Sequence, residues 1–576
     1  MVVAAPKVEK RLTIQSSKIA EDTTTIRSLD WDRDRFDIEF GLQNGTTYNS
    51  YLIRGEKVAL VDTSHAKFRQ LYLDALKGEI DPAEIDYIVI SHTEPDHSGL
   101  VRDVLALAPN AVVVGAKVAI SFLEDLVHQP FERLLVKSGE TLDLGDGHVL
   151  EFVNAPNLHW PDTIFTYDHK TGILYTCDAF GAHFCDEETF DEDLEALSPD
   201  FRFYYECLMA PNARSVISAM KRMDKLEGDI STIATGHGPL LRYNLEELTG
   251  RYRRWSQEKS KAETLVAVFY VSDYGFSDRI SQSLARGVTK TGVAVEMMDL
   301  RSADIHELNE LVGRAKGILL GMPPLSGRGA DEIQTALSSI LAAVNDKQTF
   351  GLFESYGGDD EPIDTLQTKL QDLELKPAFD PIRVKDTPSE AIYQLCEETG
   401  VDMGQDLAQA KKIKKLKSLD VDLEKALGRI SSGLYIITAQ KGELNSAMLA
   451  SWISQASFKP LGFTVAVAKD RAIESLMQVG DTFVLNVLEE GNHLGLMKHF
   501  LKRFPPGADR FAGVRTRPAN NGSPILGDAL AYLECEVSSR MELSDHWLVY
   551  STVHDGRVSK DESITAVHHR KIGNYY

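Results

Sequence analysis

The stretch His92-Thr93-Glu94-Pro95-Asp96-His97 decides how this chain is interpreted. It comes directly after the apolar run at residues 87–90, whose length and β-branched residues predict a buried strand. Loops at strand ends are places where a rigid sheet can direct several side chains to one point. Carboxylates that converge there need a cation, because a buried charge without a partner is unfavourable. The stretch therefore predicts a metal site.

Three later segments repeat the arrangement of a short strand followed by a candidate ligand. His159, Asp178 and His237 each come just after a strand-like segment, at residues 150–153, 173–176 and 232–235. The complete set of candidate ligands is His92, Glu94, Asp96, His97, His159, Asp178 and His237. Seven ligands are too many for one tetrahedral ion, so the sequence predicts two metals, which the Asp178 carboxylate can bridge. Carboxylates and imidazoles without a thiolate favour iron or manganese over zinc.

These residues resemble the metallo-β-lactamase fold, whose hydrolases carry the motif His-x-His-x-Asp-His. Glu94 stands where the second histidine of that motif would be, and this exchange, with the later ligands, resembles the flavodiiron proteins. In that family two irons reduce dioxygen or nitric oxide. The resemblance implies that one iron is bound by His92, Glu94 and His159 and the other by Asp96, His97 and His237, with Asp178 between them.

Length, net charge and the lengths of the apolar runs limit which kinds of protein this chain can be. A chain of 576 residues is expected to hold about three or four domains. The formal net charge of -24 argues against nucleic acid as a partner. No run approaches the roughly 18 apolar residues of a membrane span, and residues 1–7 lack the apolar segment of a secretory signal. We therefore predict a cytoplasmic protein with no membrane partner.

The five cysteines form no Cys-x-x-Cys pair, so neither a disulfide framework nor a cysteine metal site is predicted. The rubredoxin-type iron centre that some flavodiiron proteins append would need two such pairs.

From residue 263 onwards the pattern changes to alternating strands and helices, which predicts a doubly wound parallel sheet. Ligands of such sheets bind beyond the carboxyl ends of the strands, where the loops 272–277, 321–327 and 354–359 lie. The first loop enters a helix, whose N-terminus favours phosphate. Together the loops resemble the FMN site of flavodoxins. The resemblance implies contacts to FMN from Ser272, Tyr274, Gly275, Ser277, Pro324, Leu325, Ser355, Tyr356, Gly357 and Gly358.

The last third contains many short strand-like segments and few long helices, which suggests a barrel. The segments 445–452 and 454–458 resemble the flavin reductase split barrel. Asp545-His546 resembles the Gly-Asp-His segment of that family, although Ser544 replaces the glycine. The resemblance implies that this domain reduces flavin with NADH or NADPH. A second flavin within it is left open.

The three resemblances together match the flavodiiron class of oxygenic phototrophs, in which a flavin reductase module is fused to the core. We predict an α/β multidomain chain with a metallo-β-lactamase-like αββα domain at 30–260 and a flavodoxin-like domain at 263–402. A linker at 403–422 and a flavin reductase-like split β-barrel at 423–576 follow. The predicted activity is NAD(P)H-driven reduction of dioxygen to water at the diiron site, through flavin.

Several alternatives remain open at this stage. The chain could instead be a nitric oxide reductase, or a metal-dependent hydrolase of the lactamase fold, although Glu94 counts against the hydrolase. A non-catalytic redox sensor or assembly subunit is a third alternative. Ferredoxin remains open as the electron donor. The family resemblance also implies a head-to-tail dimer, homomeric or heteromeric, or a higher oligomer, which would bring flavin and metal loops together.

Overall fold

The computed structural model describes residues 11–33, 35–36, 40–261, 264–271, 276–301, 303, 305–322, 330–354, 360–415 and 421–569. Among the helices in these ranges, none has both the length and the apolar content that crossing a membrane requires.

Two β-sheets form the N-terminal domain. The strands of the larger sheet are, in spatial order, Leu12–Ala20, Thr23–Asp30, Thr46–Arg54, Val58–Val61, Ile85–Val89, Val112–Gly115 and Glu132–Leu135. Those of the smaller sheet are Thr141–Gly145, His148–Asn154, Ile164–Asp168, Ile173–Cys177 and Thr232–Thr235. The last pair of each sheet is parallel, so several strands end at the same edge.

Helices accompany both sheets. The longer ones are Arg69–Glu79, Val101–Leu107, Lys117–Val127, Leu194–Tyr204, Ala213–Met223 and Leu245–Ser260. Short helical segments occupy Ala66–Phe68, Pro82–Glu84, Pro95–Ser98, Tyr205–Met209 and Ala210–Asn212. Two-residue strands lie at Arg35–Phe36 and Phe40–Gly41.

Alternate residues of the central strands belong to different parts of the core, because side chains of a strand point to opposite faces. Val89 packs with Phe152 and Tyr175 of the other sheet, so the two sheets lie face to face. Its neighbour Ile88 belongs to the cluster that contains Tyr72 of the helix Arg69–Glu79. A strand buried on both faces needs an uninterrupted apolar sequence, which explains the run at 87–90. The predicted αββα arrangement is confirmed.

The middle domain contains a five-stranded sheet. Its strands are, in spatial order, Ala294–Asp299, Leu265–Tyr270, Gly317–Met322, Thr349–Glu354 and Lys376–Pro377. Its helices are Phe276–Lys290, Ile305–Arg314, Ala330–Ala343, Asp360–Asp372 and Glu390–Lys415. When the strands are numbered along the chain, their spatial order is 2-1-3-4-5, which is the order of flavodoxins. The predicted doubly wound sheet is confirmed.

The C-terminal domain contains one seven-stranded antiparallel sheet. Its strands are, in spatial order, Leu444–Ala450, Tyr435–Lys441, Thr482–Val487, Ala531–Glu542, His546–Val558, Leu461–Ala468 and Ile453–Phe458. The first and last strands of this order are joined by only Ser451 and Trp452. The sheet must therefore curl until its two edges approach each other, which is a split β-barrel. Phe463, Val465 and Phe483 lie in its core.

Smaller elements complete this domain. They are the helical segments Val421–Leu427, Ala472–Leu476 and Leu494–Leu501, and the short strands Ser432–Gly433, Thr516–Pro518, Pro524–Leu526 and Val567–His568.

Part of the predicted linker is helical. Residues 403–415 continue the helix Glu390–Lys415 without a break, whereas residues 416–420 lie outside the described residues. The helix extends because 403–415 contains neither proline nor a cluster of turn residues, and its alanines and lysines favour helix. The domain boundaries themselves stay predictions.

Candidate metal centre

Strand ends place all seven predicted ligands in one buried region. His92 and Glu94 lie in the loop after Ile85–Val89, and the following short helix Pro95–Ser98 carries Asp96 and His97. Proline suits the first position of a helix, because its fixed φ is helical and no hydrogen bond is lost there. The remaining ligands come after three strands of the smaller sheet: His159, Asp178 and His237. None of the seven is more than 8% exposed.

The seven side chains form two groups. Within each group the possible ligand atoms all lie within 4.8 Å of one another. The first group contains His92, Glu94, His159 and Asp178, and the second contains Asp96, His97 and His237. Apart from Asp178, each group is therefore two imidazoles and one carboxylate.

The carboxylate of Asp178 lies between the two groups. Its Oδ2 atom is 2.9 Å from Nε2 of His159 and 3.4 Å from Nε2 of His92. Its Oδ1 atom is 3.0 Å from Nε2 of His97 and 3.3 Å from Nε2 of His237. One oxygen thus faces each group, which is the arrangement that a carboxylate needs to bridge two metal ions.

The carboxylates make this region strongly attractive to positive charge. Burial acts to lower the pKa of His92, but the neighbouring Asp178 and Glu94 carboxylates raise that pKa to about 9. Burial acts in the same way on His237, and Asp178 and Asp96 raise its pKa to about 10. A site that holds protons so firmly on imidazoles also favours a metal cation.

The imidazoles in turn keep the carboxylates ionised. Burial acts to raise the pKa of Asp178, but the facing His92 and His97 lower it well below its usual range. Ionised carboxylates are the form that binds metal.

The donor set fits two iron ions. Two histidines and one carboxylate on one face, with other positions open, are the ligands typical of non-haem iron that reacts with oxygen. Each group supplies two histidines and one carboxylate, and the Asp178 carboxylate directs one oxygen at each group. Cys177 also lies close to His92 and His97, but burial raises the pKa of its thiol well above the usual range. Burial thus opposes the thiolate form that a metal ligand needs, and Cys177 belongs to neither of the two groups described above.

Residues outside the predicted set fix the orientation of the ligands. The Nδ1 atom of His237 donates a hydrogen bond to the carbonyl oxygen of Thr47 (2.6 Å), which leaves Nε2 directed at the carboxylates. The Oδ2 atom of Asp162 accepts hydrogen bonds from the backbone N–H (2.9 Å) and the hydroxyl (2.7 Å) of Thr93, between two ligands. Sequence analysis missed Thr47 and Asp162, because neither residue belongs to a motif.

His183 is a further buried imidazole that sequence analysis missed. Its ring centroid lies 4.9 Å from that of His237 and 4.8 Å from that of Tyr204. Burial, assisted by His237, lowers the pKa of His183 well below its ordinary value, so this ring is neutral. The sequence signal was available in the run that follows Asp178, where His183 lies five residues downstream.

Gly236 is required by the close approach of two loops. A Cβ atom at this position would lie 2.7 Å from Cε1 of His97 and 3.1 Å from the carbonyl carbon of Cys177. Both distances are too short for an ordinary contact, so only glycine lets the His237 loop lie against the loop that carries His97.

Of the ten predicted FMN contacts, only Ser277 belongs to the part of the chain that the structure describes. Ser277 is buried in the first turn of the helix Phe276–Lys290, after the first predicted loop. The other nine, Ser272, Tyr274, Gly275, Pro324, Leu325, Ser355, Tyr356, Gly357 and Gly358, cannot be placed from the described residues.

A cavity of about 500 Å³ lies between the C-terminal barrel and the helix Glu390–Lys415. Residues 448–451 and 470–473 form part of its lining. The first of these segments belongs to the stretch that resembles flavin reductases. Sequence analysis did not predict the cavity, because the helix that covers it comes from the preceding domain.

Three family descriptions match successive parts of the chain. Residues 46–238 match the ODP family beta lactamase, residues 268–400 match flavodoxin, and residues 427–575 match the flavin reductase like domain. These matches follow the order of the three domains described above.

Relatives match the chain over nearly its whole length, and a solved structure matches 69% of it. The chain is 69% identical over 568 residues to diflavin flavoprotein A 1 of Synechocystis sp. (strain ATCC 27184 / PCC 6803 / Kazusa), with 99% of each chain covered. It is 67% identical over 577 residues to putative diflavin flavoprotein A 3 of Nostoc sp. (strain PCC 7120 / SAG 25.82 / UTEX 2576), with 100% of each covered. The metal-soaked Flv1 flavodiiron core from Synechocystis sp. PCC6803 is 38% identical, with a TM-score of 0.64, covering 69% of this chain and 99% of that one.

Proposed function

The chain belongs to the diflavin flavoprotein A family of flavodiiron proteins, and on that premise we propose that it uses NADH or NADPH to reduce dioxygen to water. As a member it is a flavin- and diiron-dependent oxidoreductase of the class that reduces dioxygen or nitric oxide. Its cofactors are a diiron centre in the lactamase-like domain, FMN, and a second flavin associated with the reductase domain.

The observation that carries the proposal is the position of Asp178 between two groups of two imidazoles and one carboxylate. We assign the iron ligands accordingly. One iron takes His92, Glu94 and His159, the other takes Asp96, His97 and His237, and Asp178 bridges them.

The chain contributes position and shielding to the reaction. When bound, the diiron centre supplies a place where a diatomic molecule binds and accepts electrons. The seven ligands hold that place rigid, because each follows a strand of a packed sheet and is buried. The hydrogen bond from His237 to Thr47 keeps the ring oriented, and burial of the region excludes bulk water.

Electrons enter through the flavin domains in this proposal. Reduction of dioxygen to two waters takes four electrons and four protons, so each dioxygen consumes two molecules of NADH or NADPH together with two protons. In the C-terminal barrel, the cavity lined by residues 448–451 and 470–473 would hold a flavin, which when bound would accept hydride from the nucleotide. The FMN is held by the predicted loops of the middle domain, including Ser277.

Other elements of the sequence prediction stay predictions here. They concern ferredoxin as an alternative donor, a head-to-tail dimer or higher oligomer, and a cytoplasmic location.

An anaerobic titration followed by an oxygen assay tests the function. The full-length protein, loaded with flavin and iron, is mixed with NADH or NADPH without oxygen, and flavin bleaching is followed by absorbance. Oxygen is then admitted and its consumption is measured with and without catalase. Two NAD(P)H per oxygen, unchanged by catalase, are expected. Oxygen returned by catalase would indicate peroxide as the product. A nucleotide that does not bleach the flavin would be excluded as a donor. Nitric oxide in place of oxygen tests the other substrate of the class.

A further inference from the structure

The helix Glu390–Lys415 carries a stripe of acidic side chains directed at the C-terminal domain. Glu398, Asp402 and Asp406 are four residues apart, and residues with that spacing lie on one face of a helix. Each of the three is paired with an arginine from residues 502–510 of the C-terminal domain. The stripe is therefore used for contact between two domains.

Arg503 is held by two carboxylates of the stripe. Its Nε atom donates to Oδ1 of Asp402 (2.7 Å), and its Nη1 atom donates to Oδ1 of Asp406 (2.9 Å). Its Nη2 atom also donates to the carbonyl oxygen of Asp402 (3.2 Å). Most of the donors of this guanidinium are thus occupied by acceptors of the helix.

Arg510 is held by the remaining member of the stripe. Its Nη2 atom lies 3.0 Å from Oε2 of Glu398, and that oxygen also accepts a hydrogen bond from the backbone N–H of Gly507 (3.0 Å). The Arg510 side chain is 9% exposed and the Glu398 side chain 7%, so this pair is buried.

Both arginines and two of the carboxylates line the cavity of the C-terminal domain. Arg503, Arg510, Glu398 and Asp402 all belong to its wall, beside the segment 470–473. Nε2 of Gln405, on the same helix, donates to Oδ2 of Asp470 (2.9 Å), and both of these residues also line the cavity. A guanidinium binds carboxylate and phosphate through the same pair of N–H groups. Whatever phosphate enters the cavity must therefore compete with the helix for these arginines.

We propose that Arg503 and Arg510 form a binding site for an organic phosphate, and that the acidic stripe occupies this site as an internal competitor. The phosphate is that of a flavin mononucleotide or of a nicotinamide dinucleotide, which share this chemistry. The inference rests on the proposed function only in requiring that the C-terminal domain handles a cofactor that carries phosphate.

Linkage determines the consequence of such competition. If the helix and the phosphate exclude each other from the arginines, weakening the hold of the helix raises the fraction of free arginine and so tightens phosphate binding, by at most the same factor. The pairs of Arg503 are partly exposed, since its side chain is 46% exposed and that of Asp402 is 35% exposed. Exposed pairs are weak, so a ligand of ordinary affinity can displace the helix from Arg503.

The direction of the change in ligand affinity shows whether the acidic stripe competes with phosphate for the arginines or helps to hold the site together. The variant Asp402→Asn with Asp406→Asn removes two charges of the stripe and leaves both arginines intact. NADP⁺ and NAD⁺ are titrated separately by calorimetry into the full-length, flavin-loaded protein, and the rate at which bound flavin is lost on dilution is measured in parallel. A dissociation constant about three- to tenfold lower for a nucleotide assigns the site to the dinucleotide phosphate. A comparably slower loss of flavin assigns it to the flavin phosphate.

Two controls and a reverse variant complete the experiment. Glu390→Gln removes one charge from the exposed start of the same helix and is expected to change neither quantity. Arg503→Gln should weaken whichever ligand the double variant tightens, while Lys498→Gln, an exposed change nearby, should not. Unchanged or weaker binding of both ligands in the double variant would overturn the proposal. Because the measurement is binding, the outcome is independent of whether the protein reduces oxygen.

Discussion

Two regions of this molecule bury carboxylates, and they neutralise them in different ways. In the N-terminal domain the carboxylates of Glu94, Asp96 and Asp178 face imidazole nitrogens. In the C-terminal domain the buried Glu474 places Oε2 at 2.6 Å from Nζ of Lys290 and pairs through Oε1 with Arg540.

The difference separates a binding site from a structural ion pair. Arginine is always charged in proteins and lysine is a cation at neutral pH, so the ion cluster of Glu474 is complete within the protein. Burial acts to raise the pKa of Glu474, but Lys290 and Arg540 lower it well below the usual range. A protonated imidazole can release its proton and bind a metal ion through the same nitrogen. Carboxylates that face imidazoles therefore form a site that accepts a cation. The partner of a buried carboxylate thus indicates its role more clearly than burial does.

The largest effect is expected from Asp178→Ala, which removes the oxygen shared by both groups. Iron content should fall to below one ion per chain, and oxygen reduction should fall by at least about 100-fold, because even an outer partner of a ligand costs about 10- to 100-fold. Iron analysis, flavin absorbance and oxygen consumption are the measurements. Bound FMN should remain. A variant with full iron content would remove Asp178 from the bridging position.

Lys290→Met should affect stability and leave the metal centre intact. It removes the ammonium that lies 2.6 Å from both Glu474 and Glu397, and breaking a buried pair costs about 3–5 kcal/mol. Urea denaturation followed by flavin fluorescence measures the change in the free energy of unfolding. Lys290→Arg keeps the charge and should lose much less. If Lys290→Met lost iron instead of stability, the distinction between the two regions would fail.

Asp162→Ala should weaken iron binding without removing a ligand. The substitution leaves the backbone N–H and hydroxyl of Thr93 without their shared acceptor, so the loop between His92 and Glu94 loses its support. Loss of such an outer contact lowers metal affinity by about tenfold or more. The rate at which a chelator removes iron is the measurement. Asp162→Asn retains an oxygen acceptor, so its rate of iron loss should be closer to that of the unchanged protein. Equal rates for all three proteins would contradict this role.

The smallest effect is expected from Asp224→Asn, which breaks an exposed pair with Arg253. Their side chains are 53% and 40% exposed, so the pair is screened by water. The free energy of unfolding should change by less than about 1 kcal/mol. This variant serves as the exposed counterpart of Lys290→Met in the same denaturation experiment. A loss as large as that of Lys290→Met would show that burial does not govern the difference.

The convergence of the seven candidate ligands could be predicted because sequence and fold coincide at those positions. Each follows a short apolar strand, and parallel neighbouring strands end at one edge, so a sequence pattern becomes a cluster in space. The strand predicted at 232–235 has those bounds in the structure. The ligand roles of the seven residues stay a proposal that their convergence supports.

Contacts between distant parts of the chain could not be predicted. The partners of Glu474 lie at Lys290 and Arg540, and no local pattern marks a glutamate that will be buried between them. Thr47 supports His237 from 190 residues away. The helix that covers the C-terminal cavity was interpreted as a linker from residue 403, because its polar sequence does not show which domain it will face.

The short connection between the two edge strands of the barrel sets a limit on how far its seam can separate. Ser451 and Trp452 alone span from Ala450 to Ile453, and an extended chain covers at most about 3.6 Å per residue. The two edges therefore stay within about 11 Å of each other at this end, however the rest of the seam moves. Inserting one glycine after Ser451 would lengthen that tether by about a third.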